Sequence, residues 1–165
     1  MSVKAHVKRR VRYLVLEALY EAETSDHEPI DAFERRLIDV QAEDPAVAGE
    51  ASAAFGRSII EGVTQRWREA DRYIGEAAPK YAVNTLAIVD RNILRLAIWE
   101  LLADPKAPVA AVVNEGVELA KRYGGDSSPA FINAVLRTVS RKIRGTEAQG
   151  ETGLVATLDP TKPGE

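Results

Sequence analysis

Cysteine is absent from this chain, so disulfides, thiolate metal sites and cysteine nucleophiles are excluded. Histidine is scarce: His6 and His27 are the only 2, and both fall in polar, weakly constrained stretches, so nothing supports a Ser/His/Asp arrangement. No apolar run approaches the ~20 residues of a membrane helix. The run Tyr13 to Leu16 after the basic start is cut short by Glu17, so no signal peptide is credible. The expectation is a soluble, cytoplasmic protein that does not engage membranes. Gly124-Gly125 lacks the spacing of a dinucleotide or P-loop site and reads as the end of a helix. Glu115 and Glu118 read as an ordinary solvated helix face. No catalytic, metal or cofactor site is expected, and the chain is not read as an enzyme.

Acid is missing from one place in particular. The first twelve residues, MSVKAHVKRRVR, hold Lys4, Lys8, Arg9, Arg10 and Arg12 and no carboxylate before Glu17. The formal charge of the whole chain is −3; the opening contributes +5, leaving −8 for the rest. A basic end on an acidic body grips polyanions in one direction only.

The apolar residues are arranged with helical period throughout, and no strand or hairpin signal appears. Val7, Val11, Leu14, Val15, Ala18, Leu19 and Ala22 form a stripe over residues 4–23. Pro29 opens a second helix with Ile30, Phe33, Leu37, Ile38 and Val40 inward. Phe55, Ile59, Ile60, Val63, Trp67, Ala70 and Ile74 continue the period through residues 46–78, as one bent helix or two. Residues 85–103 are apolar on most faces, the mark of a central helix. Pro108 suits the first turn of the next helix, and Gly124-Gly125 suits a left-handed stop. Ser127-Ser128-Pro129 reads as a hydroxyl N-cap followed by proline at the first helical position. The fold class is all-α, one domain of six or seven helices over residues 1–144. Residues 145–165, rich in glycine and proline, read as a flexible tail.

On a wheel of about 100° per residue, the apolar positions of the first helix share one arc. Arg12, Leu16, Arg9, Tyr20 and Tyr13 stand opposite, while Lys4 and Lys8 lie beside the arc at an overhanging end. Arginine forks phosphates and stacks on bases, and tyrosine offers a stacking plane. The same residues also fit a merely solubilising end, or a face on which Leu16 and Tyr20 dock a protein while the basic end holds RNA.

Four ordered segments carry a resemblance. They are KRRVRYLVLEALY (8–20), VDRNILRLAIWEL (89–101), VVNEGVELAKRYG (112–124), and Asp126 with the SPAFINAVL run that follows Ser127 (126–136). They resemble signature stretches of the NusB family of bacterial transcription antitermination factors. The resemblance implies two helical subdomains of about seven helices in all. It implies binding of boxA-type single-stranded RNA with the ribosomal protein that acts as NusE, in an RNA polymerase antitermination complex with other Nus factors. Carried over by position, it implies RNA contacts at Lys8, Arg9, Arg10, Arg12, Asp126, Ser127 and Ser128, and NusE contacts at Tyr20 and Asp90. Asn114, Glu115, Phe131 and Asn133 match signature positions but are given structural roles, Phe131 in the core and Asn133 on backbone. Ser127 stands where the family usually has a second acid, and Asn84-Thr85-Leu86 where it often has an arginine. An alternative follows from the same resemblance: a NusB-like accessory domain of a ribosomal RNA cytosine methyltransferase.

Overall fold

A computed structural model describes residues 3–145. The tail expected over 145–165 therefore lies outside the described residues, apart from Gly145. Six α-helices follow one another: α1 (Ala5–Thr24), α2 (Pro29–Val40), α3 (Glu50–Ala77), α4 (Ile88–Ala103), α5 (Val109–Tyr123) and α6 (Ser128–Arg144). A single 3-10 turn, Val83–Thr85, precedes α4, and the described residues contain no strand. The stretch 46–78 resolves into a loop and one unbroken helix, because no proline interrupts it after Pro45.

Two three-helix groups, α1–α3 and α4–α6, meet where α4 packs on α3 and α1. Helix α4 buries Ile93, Leu94, Leu96, Ala97, Ile98 and Leu101, matching its nearly all-round apolar sequence. It also buries Arg91, Asn92 and Glu100; each has a partner there, although Arg91 Nε and Glu100 Oε2 stay unpaired. Arg91 donates to Glu23 of α1 at 2.6 Å, and Asn92 donates to the same carboxylate. Arg95 forks Asp71 of α3 through two bonds of 2.7 Å.

Several positions differ from the sequence expectation. Leu16, placed on the outer face by the wheel, is buried at 2% exposure, because α1 is clasped by α2, α3 and α4 and its buried arc is wide. Ile38 is 70% exposed near the end of α2. Trp67 is 37% exposed; its ring lies under the guanidiniums of Arg68 and Arg95 at 4.5 and 5.2 Å, at the rim of the core. Pro108 is the N-cap residue of α5 and not its first helical position.

The turn between α5 and α6 is also built differently. Gly124 is extended (φ −89°, ψ 179°), so it is no left-handed stop. Glycine is required there by space: a β-carbon would stand 2.6 Å from Ser128 Cβ. The Ser127 hydroxyl makes no cap bond; the Ser128 hydroxyl accepts from the Gly125 N–H at 3.0 Å, outside the helix.

Gly56 is a second close approach, since a β-carbon there would overlap the fully buried Phe33 ring. Overpacking a buried ring costs about 1–3 kcal/mol, more than the ~1 kcal/mol by which alanine is the better helix former. Gly56→Ala should therefore lower the thermal unfolding midpoint by several degrees, measured by circular dichroism. An unchanged or higher midpoint would show that α2 and α3 are not packed this closely.

Candidate nucleic-acid interface

Helix α1 begins against its own dipole. Its N-cap is Lys4 and its first turn holds no acid, whereas a helix N-terminus favours negative charge. A sequence selected for helix stability alone would place an acid here. Lys8, Arg9, Arg10 and Arg12 then fall within two turns, and the structure sorts them.

Arg9 is the outermost of the paired residues. Its Nε and one terminal nitrogen donate to the two Glu115 carboxylate oxygens at 3.1 and 3.0 Å, with 44% of the Arg9 side chain still exposed. That bond to Glu115 pushes the guanidinium above its already high ordinary value. Arg12 is nearly enclosed: its side chain is 13% exposed and its Nε donates to Glu100 Oε1 at 2.9 Å. The Lys8 ammonium and the Arg12 guanidinium lie 5.3 and 5.2 Å from the centre of the Phe55 ring. These groups line one wall of a groove of about 360 Å³ between α1, α3, α4 and α5, with Trp99 and Pro108 on its other sides. Arg10 is half-buried and makes no ion pair among the described residues.

A second flank adjoins this one at the far end of α5. The rings of Tyr13 and Tyr123 meet edge to face with centroids 5.8 Å apart, and Arg122 sits over Tyr13 at 4.5 Å. The Tyr123 hydroxyl donates to Glu17 at 3.1 Å, and burial pushes its pKa up. The α5–α6 turn follows directly. Asp126 and Ser127 are exposed, whereas Ser128 is buried and its hydroxyl is engaged by Gly125. No hydrogen bond or ion pair among the described residues joins this turn to Lys8, Arg9, Arg10 or Arg12. Phe131 is half-buried and meets the exposed Tyr81 ring at 5.6 Å, so it sits at the core's edge. Asn133 accepts from Arg137 through its side-chain oxygen and makes no bond to backbone.

A third surface is a groove of about 350 Å³ lined by Leu16, Glu17, Tyr20, Arg36, Val89 and Tyr123. Tyr20 is 44% exposed at its wall. Asp90, next to Val89, is half-buried, and its Oδ1 is shielded from solvent without a hydrogen-bond partner. A buried carboxylate oxygen left unpaired is costly.

Sequence reasoning misses the two acids that face the cations. Glu115 reads as a solvated acid, yet it is the fork for Arg9. Glu100 lies in the 89–101 signature stretch with no role assigned to it, although an acid in the apolar second half of α4 is a usable signal. Its carboxyl is pushed up from 4.5, chiefly by burial, which outweighs the attraction of Arg12.

The pH dependence follows from that direction. A carboxyl raised by folding contributes most below its unfolded range and loses that contribution as pH rises through the folded value. At neutral pH, ionised Glu100 therefore costs stability. Glu100→Gln, which keeps an acceptor for Arg12, should raise the thermal midpoint by a few degrees at pH 7 and leave it unchanged below about pH 4. A lower midpoint at pH 7 would show that the ion pair outweighs the burial.

Comparison with known proteins covers most of the described chain. The NusB family pattern matches residues 9–141. The transcription antitermination protein NusB of Chloroflexus aggregans is 42% identical over 150 residues, covering 89% of this chain and 96% of that protein. The NusB of Roseiflexus sp. is 39% identical, covering 85% and 96%. Among solved structures, T. maritima NusB superposes with a TM-score of 0.74 at 28% identity, over 87% of this chain and 96% of that one. A complex of antitermination factors NusB and NusE with double-stranded RNA contains the same fold at 20% identity, with a TM-score of 0.70 over 84% and 99%. With that pattern covering most of its length and relatives matched nearly end to end, this chain belongs to the NusB family.

Proposed function

We propose that this protein is a non-enzymatic transcription antitermination factor. In this reading it binds boxA-type single-stranded RNA through the basic end of α1 and docks the ribosomal protein NusE beside it. The pair joins RNA polymerase and further Nus factors in the cytoplasm and suppresses premature termination, notably in ribosomal RNA operons. The observation that carries the RNA reading is the cluster of Lys8, Arg9, Arg10 and Arg12 within two turns of a helix whose dipole opposes them. Charge of that density supplies phosphate contacts, and Phe55, Tyr13 and Tyr123 supply ring faces within reach of the same helix.

Support for the antitermination role comes from relatives that bear that name and match over 96% of their own length. The accessory-domain alternative is not favoured, because those relatives are antitermination proteins. Support for the protein-docking surface comes from the Leu16–Tyr20–Val89 groove, with Tyr20 exposed at its wall and Asp90 next to Val89 in the chain. Exposed Asp126 and Ser127 extend the proposed RNA surface past Tyr123, and the serine spares a phosphate the repulsion of a second acid.

Two substitutions separate the surfaces. Arg9→Ala should weaken binding of boxA-type RNA, flatten the plot of log affinity against log salt by about 0.7, and leave the thermal midpoint nearly unchanged. Asp90→Lys should leave RNA binding by the isolated protein intact and weaken capture of NusE. Loss of RNA binding by Asp90→Lys, or a collapsed midpoint for Arg9→Ala, would overturn the division.

A further inference from the structure

The two arginine–carboxylate pairs at the basic end differ in how far water reaches them. Arg9 and Glu115 are 44% and 21% exposed, whereas Arg12 and Glu100 are 13% and 10% exposed. An exposed pair is weak and exchangeable, but a buried one separates only by stranding charge in a medium that does not solvate it. The Glu115 fork also has the geometry of a phosphate contact: two oxygens accept two parallel N–H bonds at 3.0 and 3.1 Å. In the protein alone, the outermost paired guanidinium is thus already occupied by an internal anion.

We infer that Glu115 is an affinity-setting residue, an internal competitor that an RNA phosphate must displace from Arg9 before that contact forms. The inference rests on the RNA reading of α1 given above. Glu115 orients Arg9 as well as neutralising it. Because the pair is exposed, the orientation it provides is weak and the competition is the larger effect. Glu100 has the opposite balance: its partner Arg12 is enclosed by the Phe55 ring and the groove wall, so this pair stays closed and positions the helix. Arg12 lies 4.0 Å from Glu115 Oε2 in addition, so release of Glu115 leaves Arg12 still held by Glu100.

The test measures affinity of the full-length protein for a fluorescent boxA-type RNA at several salt concentrations. Glu115→Gln keeps the shape and one acceptor and removes the charge. It should bind RNA about two- to fivefold tighter, the range expected for an exposed ion pair, with a salt slope close to that of the unsubstituted protein, because the number of phosphate contacts is the same. Glu118→Gln is the control: it makes the same change of net charge on the same helix, where Glu118 pairs with Lys121 and not with Arg9. It should give a clearly smaller gain. In an Arg9→Ala background the Glu115→Gln gain should vanish, and circular dichroism should show all variants folded. Equal gains from the two glutamines, no gain from Glu115→Gln, or a gain that survives Arg9→Ala would overturn the competitor role. Arg9→Ala weakening RNA binding while Glu115→Gln changes nothing would overturn this inference and leave the RNA site standing. If Arg9→Ala itself has no effect, the RNA reading fails, and this one with it.

Discussion

Helix α4 is buried on nearly every side yet carries Arg91, Asn92 and Glu100 into the interior, and satisfying them fixes where α1 lies. Glu23, near the end of α1, receives Arg91 and Asn92 from the start of α4. Arg12, in the first half of α1, reaches Glu100 near the end of α4. The two helices are therefore antiparallel and clamped at two points. At 1.5 Å per residue the clamps are about 16 Å apart on α1 and about 14 Å apart on α4, a spacing that matches in one register only. A slip by one turn would part Arg91, Asn92 and Arg12 from these acceptors, and a buried polar group left unpaired is costly. The clamps specify the arrangement more than they strengthen it, which is why burial can dominate the Glu100 carboxyl while its pairing still sets geometry.

The basic end inherits its form from this constraint. With α1 fixed against α4, Arg12 is drawn inward and Lys8 is laid over Phe55. Arg9, one helical step aside, is left at the surface facing α5, where Glu115 meets it. A run that looks uniform as a string of cations thus divides into a structural arginine and an exchangeable one. Further along the same helix, Tyr13 meets Tyr123, and Tyr20 borders the groove with Val89. The proposed RNA and protein surfaces are consecutive faces of one helix.

Much of the fold is legible in the sequence because local rules govern it: helical period, proline breaks and the apolar α4 set the elements and their order. The errors have a common cause. A wheel describes one helix against one neighbour, and α1 has three, so Leu16 is buried although it stands opposite the main stripe. Trp67 reads as core by period but ends at the rim, held by two guanidiniums that periodicity does not see. Gly124 reads as a backbone stop, but its reason is contact with Ser128. At the candidate site the cations are legible from composition, while their partners are not. Arg9 and Glu115 are 106 positions apart in the sequence, and no local pattern joins them.

In the proposed RNA complex the arginines of α1 are unequal: Arg9 exchanges its carboxylate for phosphate and Arg12 does not. Side-chain Nε–H NMR signals of the two guanidiniums, followed while boxA-type single-stranded RNA is added, test this most directly. The Arg9 signal should move as RNA saturates while the Arg12 signal stays in place. Equal movement of both signals, or movement of Arg12 alone, would contradict it.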